Sequence, residues 1–161
     1  MPKILLSWVK KEVIELKLLI DKEASLELFE KNKEIVEPKY CYNNTFNLLS
    51  HDDDVLTNVA TGKWKIAYCF FRVFDNQDVY VRHACFYDVE RHVMIDATAT
   101  LLSSFNDRHN AEYKIIKLMD YHEYIDALKK YHLEPALIDY LDTETETIRT
   151  ELINDGCMAL D

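Results

Sequence analysis

The sequence predicts a single α+β domain, with an antiparallel β-sheet meander packed against an N-terminal helical region and a separate cysteine-bearing helix. Three observations carry that expectation: apolar residues at helical spacing early in the chain, a central block of aromatic and β-branched runs broken by turns, and a return to helical spacing after Leu118. The 161 residues divide into N-terminal helices (1–37), a core of cysteine helix plus sheet (38–118) and C-terminal helices (119–161). That length suits one buried core.

In the first segment Leu5, Leu6, Val9, Val13, Leu16 and Ile20 recur at helical spacing, and Leu26, Leu28 and Phe29 continue the pattern past a break near Asp21. One long or two shorter amphipathic helices follow, and their apolar stripe offers a seam for a homodimer. Pro38 ends the region, because proline disfavours helix for the residue before it. Cys41 then opens a short helix carrying Tyr42, Phe46, Leu48 and Leu49. The acidic run at 51–54 has turn and cap character, and Thr61 with Gly62 marks a second turn.

Residues 64–74 and 79–87 are rich in aromatic and β-branched side chains and read as two strands joined by a hairpin turn at 75–78. Residues 92–98 supply a third strand after a turn at 88–91, and residues 113–118 a fourth. Consecutive strands joined by short turns make a meander. Tyr121, Tyr124, Ile125 and Leu128 return to helical spacing, and Leu137, Ile138 and Leu141 suggest another short helix beyond Pro135. Residues 143–152 alternate threonine with glutamate and read as a solvated, partly frayed helix or tail.

The net charge of −10 opposes binding to a phosphate backbone, whose affinity comes largely from counterions displaced by Lys and Arg, so nucleic acid is a disfavoured partner. Two glycines leave little material for a phosphate-cradling loop. Charges from Lys10 onward interrupt the N-terminal apolar run well short of the roughly 18 residues a membrane span needs, and no small-residue cleavage site follows it. No membrane association is expected. Four cysteines without an export signal read as reduced thiols, which points to a cytoplasmic setting.

The chemistry centres on Cys41, His83 and Asp96. A thiol becomes a useful nucleophile when ionised near neutral pH, and both a helix N-terminus and a neighbouring imidazolium favour that state. Cys41 has the first by position. A histidine needs a third group to fix its tautomer. If residues 79–87 pair with 92–98 about a midpoint near Val89 and Glu90, His83 and Asp96 lie opposite or diagonal, within side-chain reach. Each residue alone has a plainer reading: Cys41 as buried apolar filler, His83 as a core histidine, Asp96 as a turn cap with Thr98. Cys41, Cys69, Cys85 and His83 also offer soft metal ligands, but no CxxC or HxxxH spacing supports a metal site, and no cofactor is called for.

The residues around this trio, Lys39 to Asn44, Val81 to Ala84 and Val93 to Thr98, resemble the Cys, His and Asp boxes of transglutaminase-like and papain-like cysteine enzymes, in the same order. The resemblance spans about residues 39–118 and rests on short motifs. It implies a nucleophile opening a helix against an antiparallel sheet, and a catalytic triad of Cys41, His83 and Asp96. The chain departs from the pattern at Cys85, where relatives commonly carry Trp, at Ala97, where Pro is frequent, and in lacking an upstream Gln. The oxyanion role then falls to a backbone N–H near Cys41 with Asn43 or Tyr40. Size and charge are similar to small members encoded by bacteria and phages. The resemblance implies a hydrolase or acyltransferase acting on an amide, ester or thioester of a protein, peptide or small acyl substrate. The alternative is an inactive scaffold that serves as a protein-binding or inhibitor module.

Overall fold

A computed structural model describes residues 18–73, 77–102, 105 and 112–161 of the chain. Its elements, in order, are β1 (Leu18–Ile20), α1 (Lys22–Lys31), α2 (Cys41–His51), α3 (Asp53–Ala60), β2 (Trp64–Arg72), β3 (Val79–Asp88), β4 (Val93–Ile95), a 3₁₀ turn (Thr98–Leu101), β5 (Glu112–Met119), α4 (Tyr121–Lys130), α5 (Asp142–Asn154) and β6 (Met158–Leu160). The fold is mixed α+β, as the sequence predicts.

The strands do not form a simple meander. β2 and β3 make a long antiparallel hairpin, from Trp64↔Asp88 to Arg72↔Tyr80, and β4 returns against the end of β3. β5 crosses to the far side of β2, and β1 inserts between β5 and β4, antiparallel to the first and parallel to the second. The order β2, β5, β1, β4, β3 therefore closes on itself through the β2–β3 pairing, and β6 adds in parallel to the start of β3. Closure removes the exposed edges that an open meander would present.

Two-sided burial explains why β2 and β3 read as continuous apolar runs. Ala67, Cys69, Phe71, Cys85, Met94 and Tyr113 fill the barrel interior. Ile66, Tyr68, Phe70, Tyr80, Ala84 and Phe86, on the opposite pleat, pack under the helices with Leu48, Leu49, Val55, Tyr124 and Leu128.

Three local expectations are corrected. Residues 18–20 are a strand, because the Asp21 carboxylate caps the Ala24 N–H at 3.0 Å and starts α1 only afterwards. Leu137 and Leu141 are buried in turns instead of a short helix, with left-handed backbone at His132, Leu133 and Leu137 breaking any helical path. Residues 143–152 are helical, as one of the two readings had it, but the helix is regular instead of frayed and buries Thr145 and Leu152. The acidic run does cap a helix: Asp52 accepts from the N–H groups of Asp54 and Val55, and α3 follows. Residues 1–17, which hold Leu5 to Leu16 of the stripe proposed as a dimer seam, and residues 74–76, the end of the first strand reading and the start of the hairpin turn, lie outside the described residues. Among those described, no helix is long and apolar enough to cross a membrane.

Candidate active site

Cys41 is the first residue of α2, and the local sequence forces the helix to begin there. Pro38 blocks an earlier start, and Lys39 takes a left-handed φ of 67° that turns the chain into Tyr40. Buried Asn44 then fastens the entry. Its Oδ1 accepts the Glu37 N–H at 2.9 Å, while its Nδ2 donates to the Glu37 carbonyl at 2.7 Å and to Thr98 Oγ1 at 2.9 Å. The Tyr40 side chain supplies no cap, and the first backbone bond of the helix runs from Asn44 N–H to the Tyr40 carbonyl. Among the described residues, the N–H groups of Cys41, Tyr42 and Asn43 therefore have no backbone acceptor, and they concentrate positive potential beside the thiol.

His83 lies on β3 with its ring against Phe71 and Tyr113 (centroids 5.1 and 6.4 Å away). The register that pairs Phe86 with Ile95 places Asp96, one residue past the end of β4, opposite Cys85 and diagonal to His83. The expected meeting occurs: His83 Nε2 and Asp96 Oδ2 are 2.6 Å apart. Asp96 is 1% exposed and fully engaged. Its Oδ2 also accepts from the Tyr113 hydroxyl at 2.8 Å, its Oδ1 accepts the Ala99 N–H at 3.1 Å, and its own N–H donates to Ser25 Oγ at 2.9 Å.

The Cys41 thiol and the His83 imidazole line one cavity and lie close enough for each to shift the other's pKa. With Nε2 committed to Asp96, Nδ1 is the ring nitrogen left to act on the sulfur. Burial alone would raise the thiol's pKa. The charge of His83, its hydrogen bond and the Ala84 N–H outweigh burial and hold Cys41 below the ordinary thiol value, against an opposing push from Asp96. Burial would likewise lower His83, but the negative charges of Asp96 and Cys41 and the bonds to both hold it well above the usual imidazole value. Both shifts favour the thiolate–imidazolium form of the pair, with Asp96 bracing the ring. Burial, then the Asp96 charge, push the Tyr113 phenol well above its ordinary value, so it stays a donor.

The pair opens onto a cavity of about 720 Å³, between the start of α2, the ends of β2 and β3 and the 3₁₀ turn. Its walls include Phe71, Val73, Val81, Ala99, Leu101 and Leu102. Tyr40 and Asn43 are exposed and stand on a separate, smaller cleft with Glu134 and Ala136. Nothing in the sequence singles out Ser25, Asn44, Arg82 or Tyr113. Their parts depend on strand crossings and loop packing, although Asn44 and Arg82 sit inside the motifs around Cys41 and His83.

His83, Cys85 and Asp96 also bring one ligand atom each within 4.8 Å of one another. The donors suit a relay better than an ion: burial pushes the Cys85 thiol well above its ordinary value, and the facing Asp96 oxygen already holds His83 and Tyr113. All four cysteines are free thiols. Compared with known protein families, curated proteins and solved structures, the chain finds no match.

Proposed function

We propose that the chain is a cysteine-dependent hydrolase or acyltransferase that uses Cys41, His83 and Asp96 in the manner of transglutaminase-like and papain-like enzymes. The observation that carries this reading is the single imidazole that is bonded to Asp96 at 2.6 Å and shares a cavity with the thiol that opens α2. The free thiols fit a cytoplasmic setting.

The chemistry follows from the geometry. Cys41 Sγ attacks the carbonyl carbon, and the displaced π pair moves to oxygen beside the acceptor-free N–H groups of the α2 entry. As the tetrahedral species collapses, the carbonyl re-forms, the bond to the leaving amine, alkoxide or thiolate breaks, and His83 Nδ1–H protonates that group. An acyl-thioester on Cys41 remains. Water or an acceptor amine then gives its proton to His83 and takes the acyl group, which restores the ion pair. Asp96 holds Nε2–H throughout and so keeps Nδ1 facing the sulfur.

Acylation by p-nitrophenyl acetate tests the proposal. Wild-type protein is expected to give a nitrophenolate burst and an acetyl adduct that peptide mass spectrometry places on Cys41. Cys41→Ala is expected to give neither. A folded wild-type protein that forms no adduct would favour the alternative, a scaffold that binds a protein partner.

A further inference from the structure

Arg82 is the one described arginine without a carboxylate partner. Arg72 pairs with Asp78 and Glu112, Arg91 with Asp21, and Arg149 with Glu146 and Asp161. Arg82 is 8% exposed and lines the large cavity, and its buried Nε and Nη2 have no hydrogen-bond partner. Asp161 also lines the cavity, but its side chain pairs with Arg149, and among the described residues no carboxylate stands within ion-pair distance of Arg82, whose buried, unpartnered donors favour an anion beside them. Its immediate contact is aromatic: the guanidinium stands 6.0 Å from the Tyr42 ring, which in turn stacks on Tyr68. This fixes the fork's orientation without satisfying its donors.

We propose that Arg82 binds a carboxylate of the ligand that occupies this cavity. Resting on the enzymatic reading above, this makes the substrate an acyl compound that also carries a carboxylate. Arg82 and His83 face opposite sides of β3, but both line the cavity together with Cys41 and Tyr42. A guanidinium recognises a carboxylate because its N–H groups match the two oxygens, and the apolar walls of the cavity that Arg82 lines take the rest of the acyl group. The overall negative charge repels anions that find no such fork.

The test is a binding titration by NMR, with N-acetylphenylalanine, its neutral amide and glutarate as probes. Wild-type protein is expected to bind at least one acid saturably. The neutral amide is expected to bind about tenfold or more weaker than N-acetylphenylalanine if that is the acid bound. R82Q is expected to lose the acid by a similar factor, and R82K to recover part of it. Tighter binding of N-acetylphenylalanine than of glutarate assigns the carboxylate to a peptide C-terminus, and the reverse to a small half-acid. An amide that binds as well as the acid, an R82Q protein that binds like wild type, or no saturable binding of either acid overturns the proposal. Should R82Q fail to fold, the comparison of acid with amide in wild type decides alone. The same titration in Cys41→Ala separates the two readings, because the carboxylate site needs no thiol: binding there with an inert wild-type Cys41 leaves the site standing without the chemistry.

Discussion

Asp96 does the most work of any single residue. It collects His83 from β3, the Tyr113 hydroxyl from β5, the Ala99 N–H from the 3₁₀ turn and, through its own N–H, Ser25 from α1. Asp96→Asn removes the charge that holds His83 in its protonated, oriented form, and is expected to slow Cys41 acylation about a hundredfold or more while the fold persists. Burst kinetics with p-nitrophenyl acetate check this. Tyr113→Phe deletes one donor to a buried carboxylate, and urea unfolding is expected to show a loss of about 1.5–3 kcal/mol. Lys39 holds a left-handed φ of 67° immediately before the site. Lys39→Gly is expected to stabilise the protein by up to about 1 kcal/mol in the same assay, since glycine adopts that conformation without the steric cost of a Cβ.

At the level of elements, the decisive junction is the entry to α2, where Asn44 ties the helix to residue 37 and to the 3₁₀ turn. Asn44→Ala leaves the Glu37 N–H and C=O without these part-buried bonds. It is expected to cost about 2–3 kcal/mol in urea unfolding and to slow thiol alkylation as the entry loosens. The sequence made the catalytic elements legible because their signals are local. Pro38 before Cys41 marks a helix start, and the turn at 88–91 sets a register that puts Asp96 diagonal to His83. It did not reveal the barrel. Leu18, Leu19 and Ile20 continue a helical pattern, and only the gap between β4 and β5 makes them a strand. Tyr113 was read as a strand residue, but its bond to Asp96 follows from β5 pairing with β2 and β1, a long-range choice that periodicity does not encode.

For the whole molecule, the site's charge state fixes how activity and stability depend on pH. The depressed Cys41 thiol contributes stability that is present above an unfolded thiol's value of about 8.5 and is lost as pH falls through the lower folded value. The raised His83 contributes stability that is present below about 6.5 and is lost as pH rises through the higher folded value. The ion pair requires the folded thiol value to lie below the folded imidazole value, and kcat/KM is then expected to follow a bell whose acid limb belongs to the thiolate side of the pair and whose alkaline limb belongs to the imidazolium. The central claim is that ion pair. Its most direct test is the pH dependence of iodoacetamide alkylation at Cys41, read by mass spectrometry beside Cys69, Cys85 and Cys157 in wild type and in His83→Ala. The ion pair predicts that Cys41 alone reacts rapidly well below pH of about 8.5 and that His83→Ala returns it to the ordinary thiol range. A Cys41 that reacts no faster than the other three, or keeps its advantage without His83, contradicts it.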